Sequence, residues 1–144
     1  MVIVKVHKLD PNIKDSAYAH DGDAGFDLFA REQVTLAPGE RKIIPTGIAL
    51  EIPDGYVGLI WDKSGLSMKF GLKNLGGVVD ASFRGEVNVG LVNLSDKTHT
   101  FEKNDKTAQM LIQKIERATI ELVEDEAALT KTTRGKGNFG STGK

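Results

Sequence analysis

Five short segments combine glycine with carboxylate, amide, hydroxyl or cationic residues more densely than core packing requires. They are Ala24-Gly25-Phe26-Asp27-Leu28, Lys63-Ser64-Gly65-Leu66, the run from Asn74 to Glu86, Asp105-Lys106-Thr107-Ala108-Gln109, and the run from Arg134 to Gly143. Each alone has a plain structural reading: Ser64-Gly65 as a turn, Asp80 as the start of a hairpin turn, Asp27 as a strand-end residue, and 134–143 as a solvated tail. Four other chemistries fail on spacing or composition. A phosphate-binding P-loop ending at Gly143-Lys144 needs glycine where Asn138 stands, and needs a following Ser or Thr that this sequence does not supply. Asp21, Asp23, Asp27 and Glu32 fall at calcium-loop positions, but Phe26 occupies the place where the sharp turn demands glycine. His7, His20 and His99 are scattered with no HExxH, and there is no cysteine, so catalytic zinc and thiol chemistry have no support.

Taken in order, the five segments resemble the motifs of the trimeric deoxyuridine triphosphate nucleotidohydrolases (dUTPases), over about Val2 to Lys144. The tail pattern Arg-Gly-x-Gly-x-Phe-Gly-Ser-Thr-Gly is the most specific, followed by Gly77-Val78-Val79-Asp80 with Phe83-Arg84-Gly85. The resemblance implies Mg²⁺-assisted attack of water on the α-phosphorus of dUTP, giving dUMP and pyrophosphate. This reaction keeps uracil out of DNA and supplies dUMP for thymidylate synthesis. By likeness Asp80 is the general base, a role that a carboxylate fills when it reaches the attacking water. Its neighbours Val79 and Ala81 raise the expectation of partial desolvation. Asp27 matches the carboxylate that orients Mg²⁺ through a coordinated water; one such Asp suffices for a cation held mainly by phosphates. Lys63, Ser64 and Gly65 match the phosphate cradle, Gln109 a phosphate-oxygen donor, and Arg134 the tail arginine on the γ-phosphate. Ser141, Thr142 and the amides around Gly140 add donors there. Uracil recognition is implied for the hairpin between Asn74 and Asn88, through the main chain of Gly77, Val78, Val79 and Asn88 with the Asn74 side chain. Phe83 matches the aromatic residue beneath the deoxyribose, and Phe139 the one that stacks on uracil when the tail closes.

Lys63 and Lys106 stand where the family usually has Arg, and Phe83 where it usually has Tyr. Lysine keeps the charge but lacks the planar fork, and Phe keeps the stacking face without the phenol. Two rival functions belong beside the hydrolase. One is a dCTP deaminase relative, revealed by ammonia release. The other is a weakly catalytic trimer that binds dUTP and reports it to a protein partner, revealed by binding without turnover.

The elements that must position these residues read as strands. Glycine numbers 16 of 144 residues, and β-branched residues are frequent. Alternation appears in Val2-Ile3-Val4-Lys5-Val6 and Lys42-Ile43-Ile44. Turn signals stand at Pro38-Gly39, Pro45-Thr46-Gly47 and Pro53-Asp54-Gly55, and Tyr56 to Trp61 reads as a strand. This predicts an all-β domain with little helix; the resemblance narrows it to a distorted jelly roll, or β-clip barrel, spanning residues 1–129. Residues 108–122 fit a helical face and a strand equally, with the family favouring strand, and a short helical turn fits 64–70. Residues 130–144 form a glycine-rich arm that cannot bury enough surface to offset its ordering entropy, so it is expected to be mobile until substrate closes it. The resemblance implies a homotrimer with sites shared between chains.

A chain of this length forms one domain with a real core. Nineteen basic against 20 acidic side chains give a charge of −1, which argues against a nucleic-acid coat or a membrane-surface protein. No apolar run approaches a membrane span and the N-terminal residues lack a signal-peptide core, so a soluble, cytoplasmic protein is expected.

Overall fold

The computed structural model describes residues 1–143; Lys144, the last residue of the expected arm, lies outside the described residues. Ten strands form: β1 (Lys5–Lys8), β2 (Phe26–Phe29), β3 (Val34–Leu36), β4 (Arg41–Glu51), β5 (Tyr56–Trp61), β6 (Leu72–Leu75), β7 (Val78–Val79), β8 (Glu86–Asn93), β9 (His99–Phe101) and β10 (Lys106–Lys114). One short helix, α1 (Ser64–Phe70), follows β5, and a single 3₁₀ turn covers Glu126–Ala128. Two four-stranded antiparallel sheets, ordered β1-β4-β8-β6 and β2-β10-β5-β7, are accompanied by a small β3-β9 sheet.

Alternation places the core between them. Along β8, Val87, Val89 and Leu91 are buried while Asn88 is exposed. They meet Leu28 of β2, Ile44 and Ile48 of β4 and Met110 of β10, all nearly fully buried. Each such side chain contributes about 1.5–3 kcal/mol by leaving water. Asn93 is buried among them because its amide donates to the carbonyls of Leu36 and Lys97 and its oxygen accepts from Ser95.

The helix–strand tie at 108–122 resolves as strand over Lys106–Lys114 and as irregular chain beyond, where Ile120 and Leu122 are exposed. The long-range ladders with β2 and β5 on either side outweigh the helical spacing. The turn expected at Pro45-Thr46-Gly47 is a correction of another kind. These residues lie inside β4, at a register shift between Pro45 and Ala49, so the punctuation marks a bulge rather than a chain reversal. The turn expected in 64–70 is α1, closed by Gly71 in the left-handed region. Residues 130–143 contain no strand or helix and are exposed throughout. No helix among the described residues is long and apolar enough to cross a membrane.

Candidate active site

Asp27 sits in the middle of β2 at 4% exposure. Lys63 Nζ lies 2.5 Å from its Oδ1 and Lys106 Nζ 2.6 Å from its Oδ2, so each oxygen holds one ammonium. Burial alone pushes this carboxyl up, but the hydrogen bonds from Lys106 and Lys63 outweigh it and hold the pKa below its ordinary value. The register explains the meeting: Asp27 pairs with Gln109, which pairs on its other side with Trp61, the last residue of β5. The chain then turns through Lys63 into α1, bringing Ser64 and Gly65 to the same end of the sheet, both exposed. Gly25 packs closely here: a Cβ would lie 2.9 Å from Gln109 Oε1 and 3.0 Å from Leu111 Cδ1, so those side chains would have to shift. A Cβ at Gly65, in contrast, would meet open space, so nothing within this chain explains that glycine.

The hairpin from Asn74 to Asn88 is splayed. Strands β6 and β8 pair up to Leu75 and Gly90, and continued pairing would set Gly77 opposite Asn88. Instead Val78 and Val79 swing across to pair with Leu59 and Gly58 of β5. Gly77 makes the swing possible: its φ is +114°, and a Cβ would strike the Ile60 carbonyl oxygen at 2.7 Å. Asn74 Nδ2 faces two carbonyls, Ile60 at 3.1 Å and Gly76 at 3.4 Å, which fixes its orientation. Its Oδ1 is buried without a partner, a state that ordinarily costs about 1–3 kcal/mol. Asn74, Gly77 and Val78 line a cavity of about 260 Å³ with Trp61 and Lys73. Asn88 lies on the other side of the splay, in a groove with Leu75 and Gly90, and Val79 points into the core.

Asp80 opens the turn after β7, is exposed, and borders a second cavity with Tyr56 and Arg117. Of its neighbours, Val79 is buried and Ala81 is half-buried against the core. Phe83, 45% exposed, lays its ring where a Cβ on Gly85 would stand, 2.6 Å from ring carbon Cζ. The expected arm residues stay apart from the barrel: Arg134 Nε donates to the Gly137 carbonyl, and Phe139 is fully exposed, as are Gly140, Ser141 and Thr142.

The structure thus unites Asp27, Lys63, Lys106 and Gln109, and separately Asn74, Gly77 and Val78. It does not unite Asp27 with Asp80. Asp80 follows Val79, four positions down β5 from the Trp61 level and three strands from Asp27; at about 3.3 Å per residue and 4.8 Å per strand they stand roughly 20 Å apart. One polar residue central to this region, Asp62, escapes sequence reasoning, because an acid beside a turn carries no signal of its own.

The chain matches the sequence profile of the dUTPase family over residues 12–143. It is 49% identical to the deoxyuridine 5'-triphosphate nucleotidohydrolase of Mycolicibacterium gilvum, over 96% of this chain and 93% of that one. It is 47% identical to the enzyme of the same name from Mycobacterium leprae, with the same coverage. Among solved structures, a Staphylococcus bacteriophage 80alpha dUTPase mutant with dUpNHpp superposes with a TM-score of 0.88 at 29% identity, covering 98% of each chain. A mutant dUTPase of S. aureus phage phi11, described as coordinating a structural Mg(II) ion, gives 0.79 at 29% identity over 85% of this chain and 97% of that one.

Proposed function

The chain belongs to the dUTPase family, and on that premise we propose that it hydrolyses dUTP to dUMP and pyrophosphate in the cytoplasm, as a homotrimer with shared sites. The observation that carries this reading is the Asp27 corner. Two cations on one carboxylate leave net positive charge beside Ser64-Gly65 and in register with Gln109, which suits a polyphosphate.

Lys63, Ser64, Gly65 and Gln109 hold the phosphate chain. Asp80 accepts a proton from water as that oxygen bonds to the α-phosphorus and the bond to the bridging oxygen of the β-phosphate breaks. The splayed hairpin takes the uracil edge against the main chain of Gly77, Val78, Val79 and Asn88. The unpaired Asn74 Oδ1 supplies an acceptor that a ring N–H satisfies. A base with the donor and acceptor exchanged leaves buried groups unpaired, so cytosine is rejected. Phe83 supports the deoxyribose. The arm brings Arg134, Gly140, Ser141 and Thr142 to the γ-phosphate and Phe139 to the base, excluding water.

Mg²⁺ fits this donor set only as a companion of the nucleotide. Both Asp27 oxygens already hold lysines, and the described residues contain no cluster of three or more acidic, His or Cys side chains able to cage a metal. Asp27 would hold such an ion through water, as the family resemblance implies, with the nucleotide phosphates as its main ligands. When bound, it neutralises phosphate charge. The separation of Asp27 and Asp80 within a chain supports the shared site: the base of one copy serves the phosphates bound by another. The resulting dUMP serves thymidylate synthesis, and removal of dUTP keeps uracil out of DNA.

The test is pyrophosphate release with Mg²⁺ from dUTP, dCTP, dTTP and UTP in parallel, repeated with Asp80→Asn. Turnover selective for dUTP and lost in the variant is expected. Ammonia from dCTP points to the deaminase, and dUTP binding without turnover points to the ligand-reporting trimer.

A further inference from the structure

Between Val79, the last residue of β7 to pair with β5, and Glu86, the first of β8 to pair with β4, the chain leaves both ladders. Residues 80–85 carry Asp80 and Phe83 and are exposed except for half-buried Ala81. Few main-chain hydrogen bonds hold this span among the described residues. The Phe83 N–H donates to the Asp80 carbonyl at 3.0 Å, closing a β-turn. Arg84 Nη1 donates to the Ala81 carbonyl at 2.6 Å and to the Phe83 carbonyl at 2.9 Å. One guanidinium nitrogen thus spans the turn from its middle to its end. Bonds from an ionised donor are roughly twice as strong as neutral ones, so Arg84 dominates what fixes the backbone beside Asp80. Its charge has a second neighbour, Glu51 at the end of β4. That carboxyl is held below its ordinary pKa first by the hydrogen bond from Lys5 and only in small part by Arg84. The turn carbonyls, rather than Glu51, account for where the guanidinium sits.

We propose that Arg84 is a positioning residue for Asp80: its guanidinium ties the carbonyls of Ala81 and Phe83 together and so fixes the turn that aims the Asp80 carboxylate at the attacking water. Arg84 acts only through Asp80, within the hairpin of one chain. The inference rests on the dUTP reading above. A base must come within hydrogen-bond reach of the proton it takes, and a displacement of about 1 Å can cost about a hundredfold, so an exposed turn with few bonds needs this tie. Two other roles lead to different outcomes. An Arg84 that bound phosphate would set KM. One that only propped up the fold would cut stability, and activity by the same factor with or without Asp80.

The test is a double-mutant cycle on the full-length protein: wild type, Arg84→Met, Asp80→Asn and the pair, with Arg84→Lys alongside. Both kcat and KM are read with dUTP, and stability by thermal melting. Arg84→Met, which keeps the aliphatic stem but has no donor, should lower kcat about tenfold with KM within about threefold and little change in melting temperature. In the Asp80→Asn background it should lower kcat by less than about twofold, because the group it positions is already gone. Arg84→Lys, which returns an ammonium donor to the turn, should recover kcat to within about threefold of wild type. Wild-type kcat in folded Arg84→Met, a rise in KM in place of the fall in kcat, or an equal loss with and without Asp80 each overturns the inference. If Arg84→Met does not fold, Arg84→Gln takes its place: a loss of about threefold confined to the Asp80 background is expected, and no loss, or equal losses in both backgrounds, overturns the inference. A wild type that does not cleave dUTP, or an Asp80→Asn that cleaves it normally, overturns the dUTP reading first, and this inference with it.

Discussion

Asp27 is 4% exposed with a lysine on each oxygen, whereas Asp80, three strands away, is exposed at an open turn beside a cavity. The first carboxylate belongs to a corner finished within one chain, its charge met and its neighbours fixed by the β2-β10-β5 register. The second belongs to a half-built surface. The arm shares that state: Phe139 is fully exposed and Arg134 bonds only to its own turn. On the proposed shared site, a chain prepares phosphate binding alone and draws the base and the closing arm from other copies.

The contrast breaks most sharply at Asp80. Asp80→Asn should lower dUTP turnover about 10³-fold, the scale of a lost general base, and leave the melting temperature within a degree or two. Turnover within tenfold of wild type would remove Asp80 from that role. Deleting residues 134–144 should cost about a hundredfold in turnover, through lost positioning, and again spare stability. Unchanged turnover with the trimer retained would make the arm a bystander.

Asp27 should behave in the opposite way, with stability responding first. Asp27→Asn leaves two ammonium groups facing each other and should destabilise by about 2 kcal/mol in chemical denaturation, less than the ~3–5 of a fully buried pair because the lysines stay partly solvated. Its folded pKa lies below the unfolded value, so this contribution is complete above the ordinary Asp range and disappears as pH falls through the folded pKa. Wild type and variant should thus converge in stability as the solution becomes strongly acidic. A gap that does not narrow would contradict the ion-pair account. The smallest effects belong to the side chains that keep charge or ring. Lys63→Arg should preserve or improve turnover, and Phe83→Tyr should change it by less than tenfold. A collapse in the first would refute the phosphate cradle.

The strand content, the strand Tyr56–Trp61 and the helical turn before Gly71 were legible because alternation and turn chemistry are local. The bulge in β4 was not: Pro45 and Gly47 punctuate a bulge and a reversal alike, and only pairing with β1 and β8 separates them. The identity of 106–114 as strand likewise depends on partners eighty residues earlier in the chain. The motif residues were readable as a set, but their arrangement was not. Nothing in the order Asp27, Lys63, Lys106 says that the two lysines share one carboxylate, or that Asp80 lies out of their reach. Asp62 was silent because its partners, Asn74 and Gln109, meet it only through the end of β5.

The most direct test of a site shared between copies is complementation. Asp80→Asn and the chain lacking 134–144 are co-expressed in equal amounts, the mixed trimers isolated, and pyrophosphate release from dUTP measured. If base and arm come from different chains, every mixed trimer holds one complete site of three, so the isolated mixed trimers should regain about one third of wild-type turnover. A mixture no more active than the sum of its two parents would contradict the account, since it would place base and arm of each site in the same chain.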